Sequence, residues 1–230
     1  HGTAAFLTKS SALVIADMHL GAEETLVRDG ALIPRTQTAV FFRRLERLLE
    51  QLQPKTLIIN GDVKHAFGTI LDQEWRDVLQ LIDLVTGKGM VIEFVIGNHD
   101  SLLVPVLKKR HIVPHDHLLI DRTLIIHGDR EPDHALLAKA TTIIIGHEHP
   151  SVVLDDGVRK EKYKCFVKGR YMDKNLIVVP SSYPLVEGAD LTADMGLGPI
   201  YRQAKDLHAY VLEGQDILYF GPLKDLNKKL

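Results

Sequence analysis

Five short apolar runs in this sequence each end in a cluster of glycine, aspartate, asparagine or histidine, and this repeated pattern constrains the fold more than any other feature. The runs are rich in valine, isoleucine and leucine and have the length of buried strands. They occupy residues 12–16, 56–60, 91–96, 123–126 and 141–145. After the third run, Gly97 offers backbone angles closed to other residues, so the chain can turn tightly there. The pattern predicts an α/β fold whose strand ends carry groups able to bind a metal or to move a proton.

Helical patterns separate the first three runs. Apolar residues recur at helical spacing over 41–52 and 75–85, with charged residues on the opposite face. Pro34 can open the first helix, and Ser101 can cap a third helix that runs to Arg110. A strand, a helix and another strand in succession predict a right-handed crossover between parallel strands. Since α/β proteins place their ligands at the carboxyl edge of such a sheet, the polar clusters should converge.

The second part of the chain has a different rhythm. Residues 117–120 and 123–126 predict a hairpin around a two-residue turn formed by Asp121 and Arg122. From Ser151 onward the strands are short and separated by polar turns. This change predicts a second, more antiparallel sheet that packs on the first one.

The expected architecture is a two-layer mixed β-sandwich flanked by helices, which gives four layers in the order α/β/β/α. One domain should span residues 1–230, because the chain has the length of a single large α/β domain. The polar clusters then fall within residues 17–149, and the second sheet within 150–222. A long loop at 187–198 is expected to form a flap over the site.

Composition narrows the classes of protein to consider. The net charge is −2, so the composition does not indicate the basic surface with which proteins bind the phosphates of nucleic acid. The single Cys165 cannot form an internal disulfide and fits a reducing cytoplasm. We find no apolar stretch of about 18 residues and no basic-then-apolar leader, so we expect a soluble cytoplasmic protein with no membrane partner. The chain begins His1-Gly2-Thr3 without a methionine, and these residues carry no functional argument.

The side chains that follow the five runs form a set suited to transition metals. The set contains Asp17, His19, Asp62, Asn98, His127, His147 and His149 besides His99. Seven nitrogen and oxygen ligands are too many for one tetrahedral zinc and too rich in imidazole for calcium or magnesium. They suit two divalent transition metals that share a bridging carboxylate, and such a pair hydrolyses phosphoesters.

The same residues carry a family resemblance. The sequence resembles the five ordered motifs of the calcineurin-like metallophosphoesterases, here Asp17-x-His19, Gly61-Asp62, Gly97-Asn98-His99-Asp100, His127-Gly128 and Gly146-His147-x-His149. These motifs span more than half of the chain. Shorter identities, such as Gly-His-Glu-His-Pro and Val179-Pro180-Ser181-Ser182, are most similar to the prokaryotic ICC-like or DNA-ligase-associated subgroup.

The resemblance implies a role for each motif residue. One metal would be held by Asp17, His19, Asp62 and His149, and the other by Asp62, Asn98, His127 and His147, with Asp62 as the bridge. His99 would act as the general acid, steadied by Asp100, while a metal-bridging hydroxide attacks the phosphorus. Manganese is the metal expected by analogy, although iron, zinc, cobalt and nickel suit the same ligands.

One departure from the family pattern follows the bridging aspartate. Many members carry a second acidic residue a few positions later, whereas this chain has Val63-Lys64-His65. Lys64 and His65 are candidates for contact with a substrate phosphate, and the alternative for Lys64 is a solvated side chain.

The function implied is a dinuclear metal-dependent phosphodiesterase that acts on nucleotides or related phosphoesters. A DNA nuclease of the same fold is one alternative, and the near-neutral charge and short extension after the last motif argue against it. A scaffold that keeps the fold without catalysis is another alternative. Every position expected to carry a ligand or the general acid is filled, which argues against the scaffold.

Overall fold

The fold is described from a computed structural model that covers residues 2–32, 36–66, 68–155, 157–214 and 216–226. Within these ranges the strands are β1 Ala5–Leu7, β2 Ala12–Ala16, β3 Thr56–Asn60, β4 Val91–Val95, β5 Pro114–His115, β6 Leu118–Ile120, β7 Thr123–Ile125, β8 Thr142–Ile145, β9 Pro150–Asp155, β10 Lys160–Tyr171, β11 Lys174–Val178, β12 Ala189–Asp190, β13 Lys205–Glu213 and β14 Asp216–Pro222. The helices are α1 Ala22–Arg28, α2 Gln37–Leu52, α3 Asp72–Gly87, α4 Val104–Lys109, α5 His134–Lys139, α6 Pro199–Arg202 and α7 Leu223–Leu226.

The strands form two sheets. The first contains β1 to β5 in chain order, with β2 to β5 parallel and β1 antiparallel to β2. The second contains β6 to β14, and within it β8 runs parallel to both β7 and β11 while the long β10 pairs antiparallel with β9, β11 and β13. This mixed α/β architecture, with two sheets flanked by helices, confirms the expected fold class.

Three apolar cores hold the layers together. Along β2, Leu13 and Ile15 pack toward the helices of the first sheet, whereas Val14 points to the opposite face. Because side chains alternate along a strand, the first sheet is buried on both faces, and its strands read as continuous apolar runs. Val14 joins a core between the two sheets, and Ile143 of β8 joins a third core with the helices of the second sheet.

The second sheet begins earlier than expected. It starts at β6 rather than near residue 151, so β7 and β8 belong to it. The hairpin of β6 and β7 reverses the chain, and β8 then pairs with β7 and β11 instead of extending the first sheet. The five polar clusters therefore lie on neighbouring edges of two sheets: three follow β2, β3 and β4, and two follow β7 and β8.

The local predictions hold in part. The hairpin turn is confirmed, since Asp121 and Arg122 have φ angles of 48° and 63°, as a type I′ turn requires. The helix expected from Ser101 begins only at Val104. Pro105 explains the delay, because it has no N–H to bond the carbonyl of Ser101.

Other expectations have mixed outcomes. Helices α2 and α3 are confirmed, while the proposed opening of α2 at Pro34 lies outside the described residues. The short elements β1, β5 and α5 were not expected. None of the helices within the described ranges has the length and apolar character needed to cross a lipid bilayer.

Candidate metal centre

The polar residues after the five strands meet at one place, where the carboxyl ends of the two sheets adjoin. Ligand atoms of Asp17, His19, Asp62 and His149 all lie within 4.8 Å of one another. A second group, formed by Asp62, His127 and His147, is equally close. The two groups contain six of the seven ligands expected from the family resemblance, and Asp62 belongs to both.

Asn98, the remaining predicted ligand, lies beside the second group. Its side-chain oxygen is 3.2 Å from Nε2 of His127. The other ring nitrogen of His127 donates a hydrogen bond to the carbonyl of Asn60, at 3.2 Å, because a carbonyl oxygen can only accept. This bond turns Nε2 toward the site, the orientation that a metal ligand needs.

Asp62 is buried at the centre of the imidazoles. Its Oδ1 lies 3.4 Å from His127 Nε2, and its Oδ2 lies 3.9 Å from His19 Nε2. Burial favours the neutral acid, but the hydrogen bond from His127 and the neighbouring imidazoles hold the pKa of the Asp62 carboxyl below its usual range. The side chain is therefore a carboxylate, the form that can bridge two cations.

Asp17 links the two sheets through its carboxylate. Both oxygens accept hydrogen bonds from the backbone N–H of His147, at 3.1 and 3.0 Å, and Oδ1 is 3.5 Å from His149 Nε2. The carbonyl of Asp17 accepts a hydrogen bond from the Ser181 hydroxyl at 2.7 Å. Thus one residue after β2 fixes the position of two histidines that follow β8.

The imidazoles of His19 and His149 lie close together at this site, and their state shows whether the site suits a cation. His19 Nε2 and His149 Nε2 are 3.0 Å apart, and burial together with the charge of His149 lowers the pKa of His19 to about 3. A neutral His19 has a lone pair to offer. Two buried carboxylates and several imidazole nitrogens converge on the same space, and this donor set fits divalent transition metals.

The backbone bends sharply at the same residues. Asp17, His19, Asp62, His147 and His149 all have positive φ angles, between 42° and 65°. Non-glycine residues rarely adopt this left-handed conformation, and they cluster at functional sites when they do.

Gly97 is required for space rather than for its backbone angle. Its φ is not among the positive values, contrary to the expectation of an unusual turn. A Cβ added there would lie 2.4 Å from Oδ1 of Asp62 and 2.5 Å from the Asp62 nitrogen. Only glycine lets this loop approach the central carboxylate so closely.

His99 lies next to the metal-ligand groups but belongs to neither. Its Nδ1 donates to the carbonyl of His65 at 2.8 Å, and its Nε2 is 3.7 Å from Oδ2 of Asp62. The backbone N–H of His99 also donates to Oδ1 of Asp62, at 3.1 Å. The ring is therefore held with one nitrogen toward the protein and the other toward the centre.

Asp100 does not have the expected contact. Its carboxylate is fully buried and accepts backbone hydrogen bonds from Val63 at 2.9 Å and from Gly97 at 3.0 Å, with a longer one from Lys64. The ring of His99 is bonded to the His65 carbonyl instead, so the prediction that Asp100 steadies this imidazole directly was wrong. Asp100 fastens the loop after β3 to the loop after β4.

The two candidates for substrate contact differ in their surroundings. Lys64 is 1% exposed, and its ammonium donates to the carbonyl of Ala66, so the interpretation as a solvated side chain was wrong. His65 is half-buried, with its ring centroid 5.4 Å from that of His19 and 6.5 Å from that of His99. Burial, reinforced by the charge of His99, lowers the pKa of His65. A contact between His65 and substrate stays a prediction.

The loop expected as a flap is pinned beside the centre. Glu148 lies between two predicted ligands in the sequence, and its side chain is buried. It accepts hydrogen bonds from the backbone N–H of Leu197 at 2.6 Å and of Gly198 at 2.8 Å. A Cβ on Gly198 would lie 3.1 Å from the His147 ring. Sequence reasoning missed Glu148, and an acidic residue between two ligand histidines was the available signal.

The chain is similar to known proteins in sequence family and in fold. A family profile described as calcineurin-like phosphoesterase matches residues 11–171. Among solved structures, nuclease MPE from Pseudomonas putida is 19% identical with a TM-score of 0.65, and the alignment covers 95% of this chain and 91% of that one. Yfce, a phosphoesterase from E. coli, is 17% identical with a TM-score of 0.46, and 94% of each chain is covered. A search of curated proteins finds no significant match. At such identities the likeness to MPE shows a shared fold.

Proposed function

Because the chain belongs to the calcineurin-like phosphoesterase family, we propose that it hydrolyses phosphodiester bonds, preferably those of nucleotides, with two divalent metal ions at its active site. The observation that carries the proposal is the sharing of Asp62 between two close groups of metal-ligand atoms. Two such groups with a common carboxylate match the needs of a dinuclear centre. Manganese is the metal we expect, and iron, zinc, cobalt and nickel suit the same donors.

The predicted ligands form two sets, one for each ion. Asp17, His19 and His149 would hold one ion together with Asp62, and Asn98, His127 and His147 would hold the other together with the same carboxylate. When bound, two divalent ions supply Lewis acidity that activates water and balances the negative charge of phosphoryl oxygens.

His99 is the proposed general acid. Its Nδ1–H is held by the His65 carbonyl, so the proton on Nε2 is the one available for transfer. When the bond from phosphorus to the leaving oxygen breaks, that oxygen takes the Nε2 proton and the ring becomes neutral. Asp62 lies 3.7 Å from the same nitrogen and helps to orient it. We place Asp100 among the positioning residues, because its contacts are to backbone amides.

DNA cleavage is the second candidate function, because nucleases share this fold. MPE is a nuclease, but its likeness to this chain shows the fold alone. The net charge of −2 favours small substrates over a long polyanion, since nucleic-acid affinity grows with the number of phosphates neutralised. The scaffold alternative loses support because the predicted ligands converge.

A substrate screen of metal-reconstituted protein tests the proposal. The metal-free chain is loaded with manganese, iron, zinc, cobalt or nickel, and it is assayed on bis(4-nitrophenyl) phosphate, 4-nitrophenyl phosphate, a cyclic nucleotide and single-stranded DNA. We expect faster turnover of the small diesters than of the monoester, with Asp62→Asn as the inactive control. A preference for the monoester would overturn the diesterase assignment, faster cleavage of DNA would favour the nuclease, and inactivity with two ions bound would favour the scaffold.

A further inference from the structure

A cavity of about 520 Å³ lies outside the candidate metal centre. It is bounded by α2, by β2 and by strands β10 and β13 of the second sheet. None of the seven predicted metal ligands lines it. Its apolar wall includes Phe41, Leu48 and Leu212, and its polar wall includes Arg44, Arg47 and Lys164.

The polar wall of the cavity is cationic. Arg44 and Arg47 are exposed on α2, and neither guanidinium has an ion-pair partner among the described residues. The ammonium of Lys164 donates to the carbonyls of Ser181 at 2.8 Å and Tyr183 at 2.5 Å. The described residues that line the cavity include neither an aspartate nor a glutamate.

Arg44 and Lys164 carry like charges close enough to disfavour each other. Burial and the positive charge of Arg44 together lower the pKa of Lys164 to about 8, and the carboxylates of Asp17 and Glu187 act in the opposite direction. Like charges repel, although water screens the exposed guanidinium groups, and an anion placed between them would be attracted to all three cations. Guanidinium groups bind carboxylate and phosphate groups through paired hydrogen bonds, so an anion of either kind would offset the positive charge of this wall.

The size and the apolar side of the cavity define the rest of the ligand. Small-molecule sites usually have volumes of about 300–1,000 Å³ and combine an apolar lining with a few polar groups that fix orientation. A bare inorganic anion would make no apolar contact with the wall formed by Phe41, Leu48 and Leu212. We propose that this cavity binds a small anion with an apolar body, an alkyl or aryl carboxylate or phosphate, independently of the metal centre.

Fluorescence titration of the metal-loaded, full chain tests this site. The probe is 8-anilinonaphthalene-1-sulfonate, an anion with apolar rings. We compare the wild type with Arg44→Gln/Arg47→Gln and with the control Arg43→Gln, which changes a neighbouring exposed arginine of α2 that does not line the cavity. We expect one saturable component in the wild type and in the control, weakened at least tenfold in the double variant. Equal binding by all three proteins, or no saturable binding by the wild type, would overturn the proposal.

Displacement of the probe identifies the chemistry of the ligand. Octanoate and octylphosphonate, neither of which has a phosphoester bond to hydrolyse, represent the carboxylate and phosphate arms. We expect one or both to displace the component lost in the double variant, and the better competitor identifies the head group. Displacement by octanol at the same concentration would show that charge is irrelevant, and equal displacement by inorganic phosphate would show that the apolar body is irrelevant. Melting temperatures of the variants verify that each remains folded.

Discussion

The family resemblance gives Asp100 the role of steadying the His99 ring, whereas in the structure it bonds backbone amides. Replacement of Asp100 distinguishes these two roles. The carboxylate is fully buried, and its two good hydrogen bonds come from the backbone N–H groups of Val63 and Gly97. In Asp100→Asn one oxygen becomes an NH₂ group, so one buried backbone donor faces another donor and loses its partner. An unsatisfied buried group costs about 1–3 kcal/mol.

The magnitude grows with the number of partners removed. Asp100→Ala leaves both backbone donors unsatisfied, so we expect a loss of about 2–6 kcal/mol, twice the cost expected for the asparagine variant. A domain with a total stability of about 5–15 kcal/mol would feel either change strongly. Because the bonds join the loop that carries Asp62 to the loop that carries Asn98, metal occupancy should fall as well.

Urea unfolding of the metal-free variants measures this effect. Asp206→Asn serves as the control, because Asp206 is exposed, and surface substitutions of this kind usually stay within about 0.5 kcal/mol. Metal content and turnover are measured in parallel. If Asp100→Asn left the unfolding free energy unchanged while turnover fell with both ions bound, the backbone role would be refuted and an orienting role for the His99 ring would return.

Three further predictions concern the centre and its loop. Asp62→Asn should lower the occupancy of both ions together, because it removes the charge between two mutually repelling cations, whereas His149→Ala should lower mainly one; elemental analysis measures both. His99→Asn should retain the metals and lose about 10²–10⁴-fold in turnover, with a smaller defect on nitrophenyl esters, whose leaving group departs without a proton. Equal defects on both kinds of ester, with loss of metal, would remove His99 from the catalytic list. Glu148→Gln should speed hydrogen exchange at the backbone amide of Leu197, and unchanged protection there would contradict the anchoring role.

The sequence was informative wherever a local pattern coincided with a structural need. The runs that became β2 and β3 end at the predicted residues, because a buried parallel strand is continuously apolar and its end is marked by the first polar residue. The turn at Asp121 and Arg122 was readable because loop length selects the turn type. The candidate ligands were recoverable because each follows such a strand within four residues, whereas their division into two sets came from the family resemblance.

The features that were missed depend on partners distant in sequence. Strand β1 has three residues, too few for a period-two pattern, and it exists because Ala5 pairs with Val14. The bonds of Asp100 go to Val63, thirty-seven positions away, and no local signal distinguishes them from a bond to the adjacent imidazole. Assignment of β8 to the second sheet likewise rests on its pairing with β11, which lies some thirty residues later in the chain.

The left-handed residues of the centre imply that the metal-free protein stores strain, and His149 offers a direct test. Its φ is 45°, a conformation that costs a residue with a Cβ about 1–2 kcal/mol and costs glycine almost nothing. His149→Gly and His149→Ala remove the same imidazole and the same contact with His19, so their difference in stability comes from the backbone and the single methyl group. Elsewhere glycine is usually less stable than alanine by about 0.5–1 kcal/mol, whereas here the metal-free glycine variant should be the more stable by about 1 kcal/mol. Urea unfolding compares the two variants, and a more stable alanine variant would show that this bend stores no strain.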